Sequence, residues 1–492
     1  IPGHYFQENE RLGALNLIKR IWHVAYLKCK GLNRTPRFDS LPAVAAAPFD
    51  LRVLEKAQQN PKTWELFLDF QRAATEASEA FGAAVSRSKE ESEWLRDTDA
   101  SVFHPVEWAH RIRKTSSDSD KQKLKAASAA LARLLGKDGL NEQPNRYVAV
   151  LAMDGDSMGK WVSGENAPPW REQLAEETLD YFERHEKLKA LLEMSRHVSP
   201  SYHAQLSEAL ANFALYLAGP IVEYFDGQLI YAGGDDVLAI LPAENALTCA
   251  QALRMAFRGD PQLHTVFPGA LPARAQQWGF VALNAEADIF KPIQRFVPRG
   301  YPLIVPGKRA DISAGIAIGH THAPLQNLVE AARQAEKRAK DTNKGHGKSA
   351  FAISLFKRSG EIIHWGAKWD SHAIELAQAF AEKSGPDQPL SGRFPYALAR
   401  LLRAYDAPTV SNGKVEPFTI TAMKDFDPFL VFPAEFRYVT KQQSNEKLWA
   451  AAEREQFCAL ADAYLHDCGG RPLNDFLGPF LTMTFIARGG GE

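Results

Sequence analysis

Two glycines followed by two aspartates stand near the middle of the chain, in the order Gly233-Gly234-Asp235-Asp236. Strand-like runs flank them at residues 228–232 and 237–241, so the pattern predicts a β-hairpin with its acids at the tip. The glycines leave room for a phosphate or a second backbone, and adjacent carboxylates concentrate negative charge that a divalent cation would neutralise. Alone, the motif is as consistent with an ordinary surface turn as with a metal site.

An aspartate about eighty residues upstream supplies a second acidic strand end. Residues 146–153 are almost continuously apolar, which is typical of a strand buried on both faces, and Asp154 follows directly. If this strand pairs with the hairpin, Asp154, Asp235 and Asp236 converge, and they would repel one another unless cations lay between them. We therefore predict that these three are catalytic residues and metal ligands in a two-metal nucleotidyl transfer with Mg²⁺ or Mn²⁺.

The loop after Asp154 contains glycines that can bring backbone amides close to phosphates as the chain turns into a helix. We predict that it holds a nucleotide triphosphate through Gly155, Asp156, Ser157, Met158, Gly159 and Lys160. It is not a P-loop, because its glycines are too close together and Lys160 is followed by Trp161. Residues 345–349 fail the same test, because Thr342 stands where the first glycine should be.

Basic residues cluster around the end of a second predicted helix, at Lys337, Arg338, Lys340, Lys344 and Lys348. Two interpretations carry equal weight. The run is either a solvated helix end that complements the helix dipole, or a phosphate-binding group in which Lys340 and Lys348 take part.

The composition describes a globular protein of about three domains, with 492 residues, 45% hydrophobic and 24% charged content. The net charge of −1 gives no global attraction to nucleic acid, so RNA contacts would come from local patches or through partner subunits. The four cysteines lack zinc-ligand spacing and fit a reducing cytoplasm. No apolar run or signal peptide indicates a membrane or export. His466-Asp467 lacks the further ligands of a metal-dependent phosphohydrolase, so no HD nuclease is predicted in this chain.

The order of predicted elements divides the chain into four parts. Residues 1–49 form an N-terminal helical arm, or the remnant of an upstream palm or zinc-finger region, with a Pro- and Ala-rich linker from residue 35 onward. Residues 50–145 form a small α-helical domain. Residues 146–358 alternate strands and helices in the βαββαβ order of a ferredoxin-like domain, and residues 359–492 form a helical bundle. The predicted class is therefore α+β, with a ferredoxin-like domain flanked by helical domains.

Several stretches together resemble the palm-containing large subunit of type III CRISPR effector complexes, and specifically its Cmr (type III-B) branch. The resemblance covers residues 10–360. The matching stretches are residues 10–20, Asp154 to Gly159, His203 with Leu206-Ser207, the Gly-Gly-Asp-Asp hairpin, residues 315–320 with Pro324-Leu325, and Glu336 to Lys340.

The resemblance implies a nucleotide-cyclase-type palm that joins ATP into cyclic oligoadenylates when the assembled complex holds a matching target RNA. It implies that Asp154, Asp235 and Asp236 carry the metals and that residues 155–160 hold the triphosphate. By the same resemblance Ser207 lies near an adenine, and Lys340 and Lys348 lie near phosphate. Gly233 and Gly234, which leave room for a phosphate, are also assigned to the nucleotide site. The implied partners are the other subunits, the crRNA and the target RNA.

Two further interpretations stay open. In the first, the palm is a catalytically inactive scaffold of the same kind of ribonucleoprotein, because no upstream HD nuclease, first palm or zinc ligands are evident in this chain. In the second, the chain is a cyclic-dinucleotide enzyme of the diguanylate type. Its hairpin continues Asp-Asp-Val, however, whereas those enzymes favour a Glu-Phe ending.

Overall fold

The computed structural model describes residues 14, 17–18, 39–82, 85–195, 197–272, 278–290, 302–385, 388–406, 409–411, 414–416 and 418–488. The chain divides into two compact units, Ile1–Ser40 and Leu41–Glu492. The helix predicted within residues 10–27 lies outside the described residues except at positions 14, 17 and 18, which are helical. The elements below all belong to the second unit.

Residues 41–135 form a helical region with an aromatic core. Trp94 and Trp108 are fully buried among phenylalanines. The Trp94 indole N–H donates to Thr75 Oγ1 at 3.1 Å and the Trp108 indole N–H donates to the Val102 carbonyl at 2.6 Å, so both polar groups are satisfied. The helices are α1 (Leu41–Gln58), α2 (Pro61–Glu76), α3 (Ser78–Phe81), α4 (Glu91–Asp97), α5 (Pro105–Lys114) and α6 (Asp118–Leu135).

A six-stranded sheet follows. Its strands are β1 (Tyr147–Gly155), β2 (Gln228–Gly233), β3 (Asp236–Pro242), β6 (Ile312–His320), β7 (Ala350–Phe356) and β8 (Ile362–Lys368), while β4 (Phe280–Val281) and β5 (Leu303–Ile304) form a separate pair. The order is β2-β3-β1-β6-β7-β8. The first four are antiparallel neighbours in ferredoxin-like order, and β7 is parallel to β6. The predicted α+β, ferredoxin-like fold is confirmed.

Burial explains why β1 and β6 lie at the centre. Seven successive residues of β1 and eight of β6 are buried, as expected for strands covered on both faces. The helices around the sheet are α7 (Met158–Ser163), α8 (Glu176–Glu183), α9 (Glu186–Lys189), α10 (Pro200–Asn212), α11 (Gly219–Tyr224), α12 (Ala246–Arg258) and α13 (Leu325–Lys340). A π-helical turn, Phe213–Ala218, joins α10 to α11, so the chain stays helical through Pro220.

Helices α14 (Ala373–Lys383), α15 (Phe394–Leu402), α16 (Pro428–Gln443), α17 (Ala451–Asp467) and α18 (Leu473–Ala487) complete the unit, with short strands β9 (Thr409–Ser411) and β10 (Lys414–Glu416). Helix α18 lies directly on β8, because a Cβ at Gly478 would be 2.1 Å from Trp365 Cγ. The Trp365 indole N–H donates to Thr482 Oγ1 at 2.9 Å. None of the described helices has the length and apolar character needed to cross a bilayer.

Two predictions about the boundaries need correction. The extended linker predicted for residues 35–49 is wrong from residue 41 onward, because α1 begins at Leu41 and continues through Pro48. Residues 43–46 are buried, so packing of small side chains stabilises this helix where local sequence favoured a linker. The sheet also continues past residue 358, the predicted end of the palm, because β8 pairs antiparallel with β7. The four-part division of the chain otherwise stays a prediction.

Candidate metal and nucleotide site

The register of the sheet brings the three predicted aspartates together. Strand β1 pairs with β3 through Met153 and Val237 as the last partners at this end, so Asp154 and Asp236 come next on the two strands. Carboxylate oxygens of Asp154, Asp235 and Asp236 all lie within 4.8 Å of one another. The convergence predicted from the sequence is therefore what the structure contains.

Glycine is required at two positions around these acids. A Cβ at Gly155 would lie 2.8 Å from both Cβ and Oδ2 of Asp235 and 2.6 Å from Met158 Cγ, so only glycine lets the hairpin tip approach β1 this closely. At the tip, Gly233 pairs with Asp236, and Gly234 between them has φ +73°. A two-residue turn with positive φ at its first position is the type II′ hairpin, in which glycine is strongly preferred.

The pKa values of both hairpin carboxylates are raised above the ordinary value for an aspartate. Burial raises the pKa of Asp235, and the neighbouring Asp236 raises it further, although the amides of Asp235 and Gly155 act in the opposite direction. Burial also raises the pKa of Asp236, against the lowering effect of Arg333. A raised pKa at clustered acids means that their shared negative charge is only partly compensated by the protein.

Helix α13 brings one cation to this cluster. The Lys340 ammonium contacts the Asp154 carboxylate, donates to the Gly155 carbonyl at 3.1 Å and lies 3.2 Å from Glu336. Helix and sheet meet closely here because Gly315 on β6 has no side chain: a Cβ would be 2.1 Å from the Glu336 amide nitrogen. Burial and the nearby Lys348 lower the pKa of Lys340 to about 8. Lys340 is therefore part of the acidic site, and the interpretation as a solvated helix end does not hold for it.

Asp156, two residues from Asp154, has a different environment. Its buried carboxylate accepts from Ser313 Oγ at 2.8 Å and from the Ser349 amide at 2.7 Å. Its own amide donates to the Asp311 carbonyl at 2.8 Å. Both polar groups of Asp156 are thus occupied by protein partners, and its predicted contact with a nucleotide stays a prediction.

The loop between α13 and β7 contacts the loop that follows Asp154. Lys348 donates to Ser157 Oγ at 2.5 Å, and the Lys348 amide donates to the Ala339 carbonyl at 2.9 Å. Lys348 and Ser349 both have positive φ, 67° and 45°, a conformation that side chains other than glycine seldom adopt. Backbone strain of this kind persists where surrounding contacts fix it, and here the Asp156–Ser349 hydrogen bond is one of them.

The remaining predicted residues lie around the cluster at varied exposure. Ser157 and Met158 are partly exposed, whereas Gly159 and Lys160 are exposed at the start of α7. The Lys160 amide donates to the Ser157 carbonyl at 2.8 Å, and its ammonium lies 3.7 Å from Glu165. Ser207 is exposed on α10. Their nucleotide contacts stay predictions.

No site role was predicted for Glu336 or Ser313, although Glu336 begins one of the stretches that match the family. Burial, with Asp156 and Asp236 nearby, raises the pKa of Glu336 to about 6 despite the opposing Lys337. One signal existed for Glu336: it precedes Lys340 by four residues, which places both on one helix face. Ser313 lies in an apolar strand, so nothing local marks it. The β1–β6 register places it opposite Asp154 and thereby next to this loop.

The donor set fits divalent metal ions. Three carboxylates meet at one point with one contacting ammonium, so negative charge is in excess among these four groups. Carboxylate oxygens are the ligands that Mg²⁺ and Mn²⁺ prefer. The arrangement can hold one or two such ions beside the loop that follows Asp154.

Residues 147–263 match the family described as Cas10/Cmr2, second palm domain. The chain is 29% identical over 328 residues to the Cmr subunit Cmr2 of Pyrococcus furiosus, covering 64% of this chain and 31% of that protein. It is 32% identical over 135 residues to the Cmr2 subunit of Saccharolobus solfataricus, covering 27% of this chain and 11% of that one. The chain thus spans less than a third of either curated relative.

Two solved structures share the fold. A type III-B Cmr-β complex in its apo state contains a chain that superposes with a TM-score of 0.52 at 15% identity, over 91% of this chain and 48% of that one. The same kind of complex bound to cognate target RNA gives a TM-score of 0.50 at 14% identity, over 82% and 47%. The family resemblance expected from the sequence motifs is confirmed.

Proposed function

We propose, for a chain that carries a second palm domain of the Cas10/Cmr2 type, that it acts in a type III-B effector complex as the nucleotidyltransferase part of the large subunit. In this proposal it joins ATP into cyclic oligoadenylates when the complex, guided by crRNA, holds a target RNA. The complex works in the cytoplasm. The observation that carries the proposal is the convergence of Asp154, Asp235 and Asp236 within 4.8 Å.

The three aspartates would hold Mg²⁺ or Mn²⁺, which when bound lowers the pKa of the attacking hydroxyl and balances charge on the triphosphate. The chain's own part is to fix the ligands in advance. Gly155 allows Asp235 to lie against β1, and the type II′ turn sets the direction of both hairpin acids. Because these groups are positioned by strands and a tight turn, little rearrangement is needed when the nucleotide binds.

The triphosphate would lie along the loop that follows Asp154. The amides of Asp156 and Lys160 already have backbone acceptors, so the amides of Ser157, Met158 and Gly159 are the ones we assign to phosphate. Lys348, which donates to Ser157 Oγ, would turn its ammonium to the same phosphates. Lys340 would neutralise charge between Asp154 and the phosphate, and Ser207 is assigned to the adenine side.

An inactive scaffold is the alternative, and one contact favours it. The Lys340 ammonium already contacts Asp154, so part of the charge that would attract a metal is compensated within the protein. In that alternative the palm keeps its shape for subunit and guide binding, and the triad has no reaction to perform.

A product assay on the assembled complex separates the two. The complex is incubated with ATP, Mn²⁺ or Mg²⁺ and target RNA, and the wild type is compared with Asp235→Ala plus Asp236→Ala. We expect the variant to lose at least about 100-fold in cyclic oligoadenylate yield, because the metal ligands on the hairpin are gone. A GTP arm tests the diguanylate alternative, for which GTP would be the better substrate.

The matched control removes two adjacent carboxylates elsewhere. Glu176→Ala plus Glu177→Ala changes the net charge equally on the exposed helix α8 and should leave the yield unchanged. Equal product from the wild type and the hairpin variant would leave the scaffold as the function.

A further inference from the structure

A cavity of about 510 Å³ opens on the C-terminal helices. Its wall includes Tyr396, Arg400 and Arg403 from α15 and the turn after it, together with Glu361 from the end of the β7–β8 turn and Leu481 from α18. Tyr396 and Arg400 are four residues apart on one helix, and Arg403 follows three residues later, so all three share a face.

The charges on this wall are unequal. Glu361 is the acidic member, and it is already engaged: Lys357 donates to it at 2.9 Å. Arg400 and Arg403 are both exposed, and in the described part of the chain neither guanidinium has a carboxylate at ion-pair distance. Two planar guanidinium groups without a counter-charge are suited to phosphate, which they can bind through paired N–H donors.

Tyr396 adds an aromatic surface whose position is fixed. Its ring has the Lys357 ammonium 5.8 Å and the Arg488 guanidinium 5.6 Å from its centroid, and Arg488 also donates to the Gly392 carbonyl. The Lys357 side chain is only 9% exposed, so it acts as a buried support. Tyr396 itself is 41% exposed and presents a ring on which a base can stack.

We propose that this cavity binds single-stranded nucleic acid, with the phosphates on Arg400 and Arg403 and one base on Tyr396. A binding site that offers both guanidinium groups and an aromatic ring fits a phosphate-and-base unit, whereas an acidic peptide would use only the arginines. The exposed arginines also let a strand continue past the site, unlike a pocket that encloses most of a free nucleotide. This site is independent of the aspartate triad and of its chemistry.

The test measures fluorescence anisotropy of a labelled oligouridine strand binding to the full-length chain. Arg400→Ala plus Arg403→Ala should weaken binding by about tenfold and reduce the slope of log affinity against log salt by about 1.4, because two phosphate contacts are lost. Tyr396→Ala should weaken binding at all salt concentrations without changing that slope. Tyr396→Phe should bind with the wild-type affinity because stacking is retained.

Three controls make the result decisive. Lys123→Ala plus Lys125→Ala removes two exposed cations from α6 and should bind as the wild type does. Asp235→Ala plus Asp236→Ala should also bind normally, which separates this proposal from nucleotidyl transfer. Polyglutamate should compete poorly. The proposal is overturned by unchanged RNA affinity in the double arginine variant, by equal losses in the α6 control, or by polyglutamate displacing the strand as well as RNA does.

Discussion

Asp154 and Asp156 are two residues apart, yet they occupy opposite kinds of environment. Asp156 is buried, and its carboxylate is met by Ser313 and by the Ser349 amide. Asp154 is partly exposed and gathers with Asp235 and Asp236, where carboxylates face one another. The Asp156 carboxylate is paired with hydrogen-bond donors of the protein. The cluster around Asp154 keeps negative charge that a bound ligand would neutralise.

The difference shows how one acidic loop can serve both stability and chemistry. Buried polar groups stabilise a fold only when their partners are present, so Asp156 belongs to the structure. Clustered acids that repel one another cost stability, and such groups concentrate at functional sites. Four substitutions test this contrast.

Removing the Asp156 carboxylate should lower the free energy of unfolding more than removing the Asp154 carboxylate. Asp156→Ala leaves Ser313 and the Ser349 amide without their acceptor and frees a backbone segment with positive φ, so we expect the free energy of unfolding to fall by about 3 kcal/mol. Asp154→Ala should cost less than about 1 kcal/mol, because removing this carboxylate also relieves repulsion in the triad. Urea unfolding of both variants measures these losses, and equal losses would contradict the difference between the two aspartates.

Asp50 is a largely buried acid without full hydrogen bonding, so it should behave differently from both Asp154 and Asp156. Burial, with Asp226 and Asp99 nearby, raises the pKa of Asp50 to about 7, and its Oδ1 has no hydrogen-bond partner among the described residues. Because the folded-state pKa exceeds the unfolded value, this group's stability contribution is complete below about pH 4 and is lost as pH rises through about 7.

The corresponding variant is Asp50→Asn. It should be more stable than the wild type at pH 8 by on the order of 2 kcal/mol and nearly equal to it at pH 4. Asp118→Asn, which changes an exposed carboxylate on α6, should show no such dependence. The melting temperature measured across this pH range checks both, and parallel curves for wild type and Asp50→Asn would contradict the assignment.

The close approach of the hairpin to β1 should depend on the absence of a side chain at Gly155. Gly155→Ala places a Cβ within 3 Å of Asp235 and Met158, so we expect a loss of about 1–2 kcal/mol in unfolding free energy and weaker Mn²⁺ binding. Gly159→Ala meets nothing within 4 Å and lies in α7, where alanine should stabilise by up to about 1 kcal/mol. Equal stability of the two variants would show that the approach is not tight.

The smallest expected effect is that of removing Lys340, the cation that contacts Asp154. Lys340→Ala removes the ammonium that contacts Asp154, so Mn²⁺ affinity should rise about fivefold. Lys337→Ala changes an exposed lysine on the same helix and should have little effect. Calorimetric titration with Mn²⁺ measures both, and a fall in affinity for Lys340→Ala would mean that this ammonium organises Asp154 more than it competes with a metal.

The sequence predicted the parts of the site that depend on local pattern. A buried apolar run ending at Asp154 and a Gly-Gly turn before Asp235 each specify a strand end, and the ferredoxin-like order then places them together. The role of Asp156 could not be predicted, because its partners Ser313 and Ser349 are more than 150 residues away. Helix α1 was missed for a similar reason, since burial of its alanines overrides a Pro-containing local sequence.

We infer that Asp154, Asp235 and Asp236 form one site for divalent cations. The test is calorimetric titration of the 492-residue chain with Mn²⁺. It compares the wild type with a variant that carries Asp154→Asn, Asp235→Asn and Asp236→Asn, and with Glu176→Gln plus Glu177→Gln as the charge control. We predict binding to the wild type and to the control, and loss of that binding in the triple variant. Equal Mn²⁺ binding by the triple variant and the wild type would contradict the account.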